Sequence, residues 1–169
     1  ELKAGETSLV TITFSETLTN GSFTNADLTI ENGTLSAVAT TNSGASTDDK
    51  VFTATFTPTA NLEDLSNVIT LANTGVTDVA TNAGVGTTSS AEYEIDTVLP
   101  DATITIADTA LKAGETTTVT ISFTEVVSGF ANADLTVQNG TLSTVATTDG
   151  GRTYTATLTP DTTTDDTSN

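Results

Sequence analysis

The stretch TTVTISF at residues 117–123 decides the fold, together with its earlier copy SLVTITF at residues 8–14. In both stretches a valine, an isoleucine and a phenylalanine occupy alternate positions, with threonine or serine between them. Alternation with a period of two predicts a β-strand that buries one face and exposes the other. The hexapeptide LKAGET precedes both stretches, at residues 2–7 and 111–116, so the two strands belong to two copies of one unit.

The repeat extends outward from these strands over most of the chain. NADLT at residues 25–29 returns at 132–136, and NGTLS at 32–36 returns at 139–143. A period of about 100 residues suits one small domain and is too long for a solenoid repeat. We therefore expect two modules, residues 1–98 and 99–169. Module 1 is expected to begin after its own first strand, and module 2 to stop before its last strands.

Short alternating segments, separated by turn signals such as Asn-Gly and Ala-Gly, predict about seven strands per module. Combining both copies, we expect strands A to G near residues 102–107 (A), 8–14 (B), 27–31 (C), 34–40 (D), 51–57 (E), 67–72 (F) and 90–96 (G). The 43 threonines favour strands over helices. The predicted fold is all-β: tandem Ig-like antiparallel β-sandwiches without the Cys and Trp pattern of antibody domains.

The composition excludes several functions. Four basic residues face 22 acidic ones, giving a net charge of −18. Nucleic-acid binding requires clusters of Lys and Arg, and binding to anionic membranes is disfavoured for the same reason. The chain has no cysteine and no histidine, so thiolate sites and His-based catalysis are absent, and we expect no enzyme. No apolar run is long enough for membrane insertion by this segment.

A family resemblance rests on five segments in order: LKAGET (111–116), VTISFTE (119–125), FANADLT (130–136), NGTL (139–142) and YTATLTP (154–160). Together they resemble the bacterial Ig-like domains found in tandem in large surface adhesins, including biofilm-associated and repeats-in-toxin adhesins. VTDVATN at residues 76–82 is similar to the family's V-T-D-x-A-G-N loop, with Thr81 and Asn82 at the Gly-Asn positions. IDTVLP at residues 95–100 is similar to its inter-domain joint.

The resemblance implies a secreted, extracellular protein of the bacterial cell surface in which the modules form an extender stalk. In several such families Ca²⁺ at the ends of the domains stiffens the array. The stalk's partners would be neighbouring Ig-like modules of the same chain, with surface or cell ligands bound by other domains. The connector at residues 94–101 contains Pro100 and no Gly or Ser, which predicts a stiff joint.

Following the strands up and down a sandwich places the B–C loop, the F–G loop and the connector at one end of a module. Ca²⁺ takes six to eight oxygen ligands, which acidic loops and backbone carbonyls supply. The predicted calcium ligands are Glu16, Asp27, Asp78, Asp96, Asp101, Glu125 and Asp134. The alternative is that these acids are solvated loop residues, or that Asp27 and Asp134 form turns by binding nearby backbone N–H groups.

Other acidic pairs receive weaker assignments. Glu63-Asp64 and Asp165-Asp166 are expected in the E–F loops at the opposite end, where an interface site is one interpretation. Asp48-Asp49 is expected to be an exposed turn. Two alternatives to the extender function stay open. One is a carbohydrate- or ligand-binding adhesive module, and the other is a filament subunit that exchanges strands between chains.

Overall fold

The computed structural model describes residues 1–41 and 50–162. The chain divides into two compact units, Glu1–Leu99 and Pro100–Asn169, each of which is described by itself. Regular structure in the described residues consists of β-strands and three short 3₁₀ helices. The predicted all-β class with antiparallel Ig-like sandwiches is confirmed.

The described residues of unit 1 form ten strands: β1 Leu2–Lys3, β2 Ser8–Thr13, β3 Leu28–Ile30, β4 Gly33–Leu35, β5 Ala39–Thr40, β6 Val51–Pro58, β7 Glu63–Asn67, β8 Ile69–Ala72, β9 Thr87–Ser89 and β10 Tyr93–Asp96. Short 3₁₀ helices cover Asn25–Asp27 and Asn73–Gly75. One sheet has the order β2-β6-β4, with β5 also on β6, and another has β3-β8-β9. A third sheet, β1-β10-β7, contains the parallel pair β1 and β10.

Unit 2, over residues 100–162, has five strands: β11 Ala102–Ile106, β12 Thr117–Phe123, β13 Gly140–Leu142, β14 Ala146–Thr147 and β15 Thr153–Pro160. They make one sheet in the order β11-β12-β15-β13, with β14 also on β15. A 3₁₀ helix covers Asn132–Asp134. Strand β12 holds the same place as β2, since Val119 pairs with Ala156 as Val10 pairs with Ala54.

Both units contain the same aromatic cluster in their cores. Phe14, Phe23 and Phe52 meet edge to face, with ring centroids 5.0 to 5.8 Å apart. Phe123, Phe130 and Tyr154 repeat the arrangement at 4.9 to 6.0 Å. Such contacts add about 0.5–1.5 kcal/mol each beyond burial. The alternating apolar residues of β2 and β12 therefore point inward, as the sequence pattern predicts.

Several predicted elements differ in the structure. Glu63 and Asp64 lie in strand β7, not in a loop, because this segment pairs with β10. The predicted strand at 34–40 breaks into β4 and β5, because the Asn25 side chain binds the backbone between them. The acidic pairs at 48–49 and 165–166 lie outside the described residues.

Candidate metal centre

Two loops of unit 1 join at one end of the unit. After β2 the chain runs beside the F–G loop, where Leu18 forms a β-bridge with Asp78. The Thr19 amide donates to the Thr77 carbonyl at 2.8 Å, and the Thr19 hydroxyl donates to the Asp78 carbonyl at 2.6 Å. These bonds bring Glu16 and Asp78 to the same cavity of unit 1.

The carboxylate of Asp78 closes its own loop. One oxygen accepts from the Asn82 amide at 2.7 Å, and the other accepts from the Asn82 side chain at 2.8 Å. These bonds lower the pKa of Asp78, with the side-chain bond from Asn82 as the largest cause. Thr81 has a φ of 68°, in the left-handed region that favours glycine. Asp78 is thus a charged, loop-forming acid at the predicted position.

Asp27 caps the 3₁₀ helix that follows the B–C loop. One carboxylate oxygen accepts from the Thr24 amide at 2.8 Å, while the Asp27 amide donates to the Thr24 carbonyl at 3.1 Å. The other oxygen lies against Gly75 of the F–G loop, so closely that a side chain on Gly75 would collide with it. The reciprocal bonds form a capping box, the turn-forming role that was the alternative for this residue.

The asparagine of each NAD motif is occupied by backbone bonds. Asn25 accepts from the Val38 amide at 2.8 Å and donates to the Ser36 carbonyl at 2.9 Å. Asn132 makes the same pair of bonds with the chain before β14, at 2.8 Å each. Asn25 thus holds the chain between β4 and β5, and Asn132 holds the chain between β13 and β14. The recurrence of NAD therefore has a structural cause.

Unit 2 places the connector acid beside the end of β12. The Asp101 amide donates to the Thr124 hydroxyl at 2.9 Å, and the Thr124 amide donates to the Asp101 carbonyl at 2.9 Å. The next residue, Glu125, has one carboxylate oxygen that is shielded from water and has no hydrogen-bond partner. A buried oxygen of this kind is uncommon, and a bound cation or water is one physical explanation. Asp134 caps its 3₁₀ helix through the Ala131 amide at 2.9 Å.

Asp96 lies at the other end of unit 1. Its neighbours across the sheet are Lys3 on β1 and Glu63 on β7. The flanking residues of the IDT motif anchor this end: Ile95 is fully buried, and the Thr97 hydroxyl donates to the Thr59 carbonyl at 2.7 Å. The structure therefore separates Asp96 from Glu16, Asp27 and Asp78.

Within residues 1–41 and 50–162, no three carboxylates converge in an arrangement that could hold a metal ion. The calcium ligands stay a prediction. In unit 2, Glu125 has a desolvated carboxylate oxygen, a donor of the kind that a hard cation takes, and the preceding residue, Thr124, is hydrogen-bonded to Asp101. Sequence reasoning missed the contact of Gly75 with Asp27 and the role of Thr124. Only the recurrence of NAD in both copies pointed toward a shared loop structure.

The comparisons with known proteins give one family. The sequence model of the bacterial Ig-like domain matches residues 1–95 and again residues 96–169. No curated protein and no solved structure matches the chain. None of the helices in the described part is long and apolar enough to cross a membrane. Because the family model covers the chain from end to end, the chain belongs to the bacterial Ig-like domain family and contains two of its domains in tandem.

Proposed function

We propose that this chain is an extender segment of a bacterial surface adhesin, in which Ca²⁺ bound at the loop end of each unit stiffens the array. The observation that carries the proposal is the end-to-end duplication of one Ig-like domain, with no residues between the two family matches. Repetition of a folded unit adds length without adding new chemistry. Domains of this family commonly occur in extracellular surface proteins.

The distribution of aromatic residues supports a structural function over carbohydrate binding. A sugar-binding face needs exposed aromatic rings on which the sugar stacks. All six phenylalanines and both tyrosines are buried or half-buried. Tyr154 belongs to the core of unit 2, and the Tyr93 hydroxyl donates to the Glu31 carbonyl at 2.7 Å. The rings are therefore committed to packing.

The charge supports a role for cations. A net charge of −18 on 169 residues makes the compact state repel itself. In unit 2, Asp101, Glu125 and Asp134 would hold the ion, and the ion would supply positive charge beside the desolvated oxygen of Glu125. Because Asp101 comes directly after Pro100, an ion bound there fixes the residues that lead into unit 2. In unit 1 the corresponding candidates are Glu16 and Asp78, which line one cavity, while the predicted ligand Asp27 is committed to its helix cap.

The test compares the chain in millimolar Ca²⁺ and in chelator, by calorimetry and small-angle X-ray scattering. A ligand at about 100 times its Kd stabilises the folded state by about 2.7 kcal/mol. For domains of this size each kcal/mol raises Tm by roughly 4–8 °C, so a rise of roughly 10 °C or more is expected. The scattering should show a narrower distribution of maximum dimensions with Ca²⁺.

Matched variants locate the effect. Glu125→Gln keeps the shape of the side chain and should abolish most of the calcium-dependent rise in the Tm of unit 2. Asp161→Asn removes the same charge from an exposed position in unit 2 and should retain the rise. Melting temperatures that do not respond to Ca²⁺ would refute the calcium part of the proposal. If both variants lost the calcium-dependent rise in Tm equally, the effect of Ca²⁺ would be general charge screening and not binding at Glu125.

A further inference from the structure

The chain contains three Asn-Gly dipeptides, at residues 20–21, 32–33 and 139–140. In such a dipeptide the backbone nitrogen of the glycine can attack the carboxamide carbon of the asparagine, because glycine has no side chain that hinders the approach. The attack requires a glycine amide without a hydrogen-bond partner and a peptide group that can rotate toward the side chain. The fold determines which of the three dipeptides meets both conditions.

Asn20 and Gly21 lie at the tip of an exposed turn in the B–C loop. The Ser22 amide donates to the Thr19 carbonyl at 3.0 Å and closes the turn, and Gly21 has a φ of 78° at the third position, as in a type II turn. The described atoms leave open space around Gly21. Among the described residues, neither the Asn20 side chain nor the Gly21 amide has a hydrogen-bond partner. The peptide group between Asn20 and Gly21 is therefore free to rotate.

The second dipeptide, Asn32-Gly33, is held by the fold of unit 1. The Asn32 side chain donates to Asp64 at 2.9 Å and to Asn67 at 2.7 Å. Its backbone carbonyl accepts from the Thr59 amide at 2.9 Å, and Gly33 belongs to strand β4, which pairs with β6. Rotation of this peptide group toward the side chain would break these bonds, so the attack is hindered.

The third dipeptide, Asn139-Gly140, is held in the same way in unit 2. Asn139 has a φ of 53°, close to the 51° of Asn32, and its carbonyl accepts from the Asp161 amide at 2.9 Å. Gly140 belongs to strand β13, which pairs with β15. Both dipeptides at the start of a paired strand are thus fixed by the sheet, and the dipeptide in the B–C loop is not.

We propose that Asn20 is a site of spontaneous deamidation in the folded protein, with water as the co-reactant. The Gly21 nitrogen attacks Cγ of Asn20, and the new N–C bond closes a succinimide ring. The Cγ–Nδ2 bond breaks, and ammonia leaves with the proton from the Gly21 nitrogen. Water then adds to one of the two ring carbonyls and opens the ring, which gives aspartate or isoaspartate. A neutral amide becomes a carboxylate, so unit 1 gains one negative charge.

The modified turn lies where two loops of unit 1 are joined. Thr19, directly before Asn20, holds the F–G loop through its bonds to the Thr77 and Asp78 carbonyls. Isoaspartate carries the main chain through the side-chain carbon and lengthens the turn, so the bond between the Thr19 carbonyl and the Ser22 amide cannot be kept. Deamidation therefore loosens the contact between the two loops. This reaction is independent of the proposed calcium binding and goes beyond the extender function.

The second copy of the domain supplies a matched control. Ser128-Gly129 lies between Glu125 and Phe130, as Asn20-Gly21 lies between Glu16 and Phe23. Gly129 has a φ of 80°, close to that of Gly21, but the residue before it has no amide to lose. The variant Asn20→Ser therefore introduces the residue that the same turn has in unit 2.

The direct test incubates the folded chain near neutral pH, with chelator throughout, and maps the products by mass spectrometry. Cleavage after glutamate at acidic pH places the three asparagines in separate peptides, residues 17–31, 32–63 and 126–169. Asn20 should convert roughly tenfold or more faster than Asn32, whose two side-chain hydrogen bonds must break first. Conversion of Asn20 that is no faster than that of Asn32 and Asn139 would overturn the proposal.

The same incubation in concentrated denaturant separates the effect of the fold from that of the local sequence. All three dipeptides are then free to rotate, so their rates of conversion should become similar. The rate at Asn20 should also rise with pH in the folded chain, because the reaction begins with loss of a proton from the Gly21 nitrogen. An equally large lead of Asn20 in denaturant would overturn the role assigned to the fold.

The variant Asn20→Ser tests the effect on the turn, with circular dichroism as the check that it folds. Aged wild-type protein should gain a more negative species on anion exchange, and the fraction with isoaspartate at position 20 should melt at a lower temperature than fresh protein. Aged Asn20→Ser should lack this species and keep its Tm. Equal losses of Tm on ageing in both proteins would overturn the link between deamidation and the loop contact.

Discussion

Replacing Asn67 by alanine should destabilise unit 1 more than any surface substitution. Asn67 is fully buried at the irregular pairing of β7 with β10. Its amide nitrogen donates to the carbonyls of Asp64 at 3.0 Å and Tyr93 at 3.1 Å, and its oxygen accepts from Asn32 at 2.7 Å. The side chain thus satisfies groups that the interrupted ladder leaves without partners.

The magnitude follows from these three bonds. A buried polar group that loses its partner costs about 1–3 kcal/mol. Asn32 keeps a second acceptor, Asp64, at 2.9 Å, so the two carbonyls carry most of the loss. We expect the free energy of unfolding of unit 1 to fall by about 3–4 kcal/mol, which is a large effect for one substitution. With a urea m-value of about 1.5 kcal/mol/M, the midpoint should drop by roughly 2 M.

The assay is urea denaturation followed by tyrosine fluorescence in a Tyr154→Phe background. The chain has two tyrosines and no tryptophan, so Tyr93 then reports on unit 1 alone. Ser66→Ala, one residue away and exposed, is the control and should change stability by less than about 0.5 kcal/mol. An equally small loss in Asn67→Ala would refute the reasoning.

The variant Asn67→Asp adds a pH test of the same contacts. Its carboxylate would face the carbonyls of Asp64 and Tyr93, so its folded pKa should lie above the unfolded value of about 3.9. A raised folded pKa means that stability is greatest below pH 4 and is lost as the pH rises. Destabilisation relative to wild type should therefore grow between about pH 4 and pH 7. A pH-independent difference would contradict the proposed contacts.

Further substitutions test single backbone and side-chain features. Thr81→Gly should stabilise unit 1 by about 1 kcal/mol in urea denaturation, because a β-branched residue is strained at a positive φ. The control, Asn61→Gly at a φ of 55°, should change the free energy of unfolding by only about 0.3 kcal/mol. Equal effects of the two substitutions would contradict the argument from strain. Gly33→Ala should cost unit 1 about 1–3 kcal/mol, because the methyl group would collide with a buried phenylalanine ring. Gly140→Ala should cost unit 2 less. At both positions the methyl would approach a backbone carbonyl, Thr57 at 2.7 Å and Thr159 at 2.8 Å, but at 140 the nearest side chain is the end of Leu158 at 3.2 Å rather than a buried ring. The reverse order in thermal melts would refute the packing argument. The pKa of Asp149 is held far below its usual value, chiefly by the hydrogen bond from the Thr153 backbone amide. A lowered folded pKa gives stability that is present above about pH 4 and lost as the pH falls. Asp149→Asn should therefore make the stability of unit 2 depend less on pH below about pH 4. An unchanged pH dependence would contradict this role of Asp149.

Much of the fold could be predicted because its determinants are local. The period-two pattern of β2 and β12 specifies strands with one buried face, whatever lies opposite them. The LKAGET turn is equally local. Gly5 and Gly114 take φ values of 79° and 86°, and Glu6 caps the turn through the Lys3 amide at 3.0 Å. The internal repeat then reveals the module length without any structure.

The predicted site depended on contacts between distant segments, and there the sequence alone was insufficient. It placed Glu16 and Asp78 at one end of unit 1, and the two residues line one cavity. It could not show that one oxygen of Asp27 is used by a helix cap, or that Asp96 lies opposite Lys3 and Glu63 at the other end. A carboxylate in a loop has the same sequence signal whether it binds a metal or a backbone amide.

The sequence by itself determined the class of fold, the tandem arrangement and the high negative charge, since alternation, repetition and composition are properties of the chain alone. Only the tertiary structure decided which polar groups are buried and which strands pair with one another. Asn67 shows this, because its side chain is hydrogen-bonded to Asn32 and to the Tyr93 carbonyl, which come from distant segments. Burial and strand pairing are relations between distant segments, and no single segment contains them.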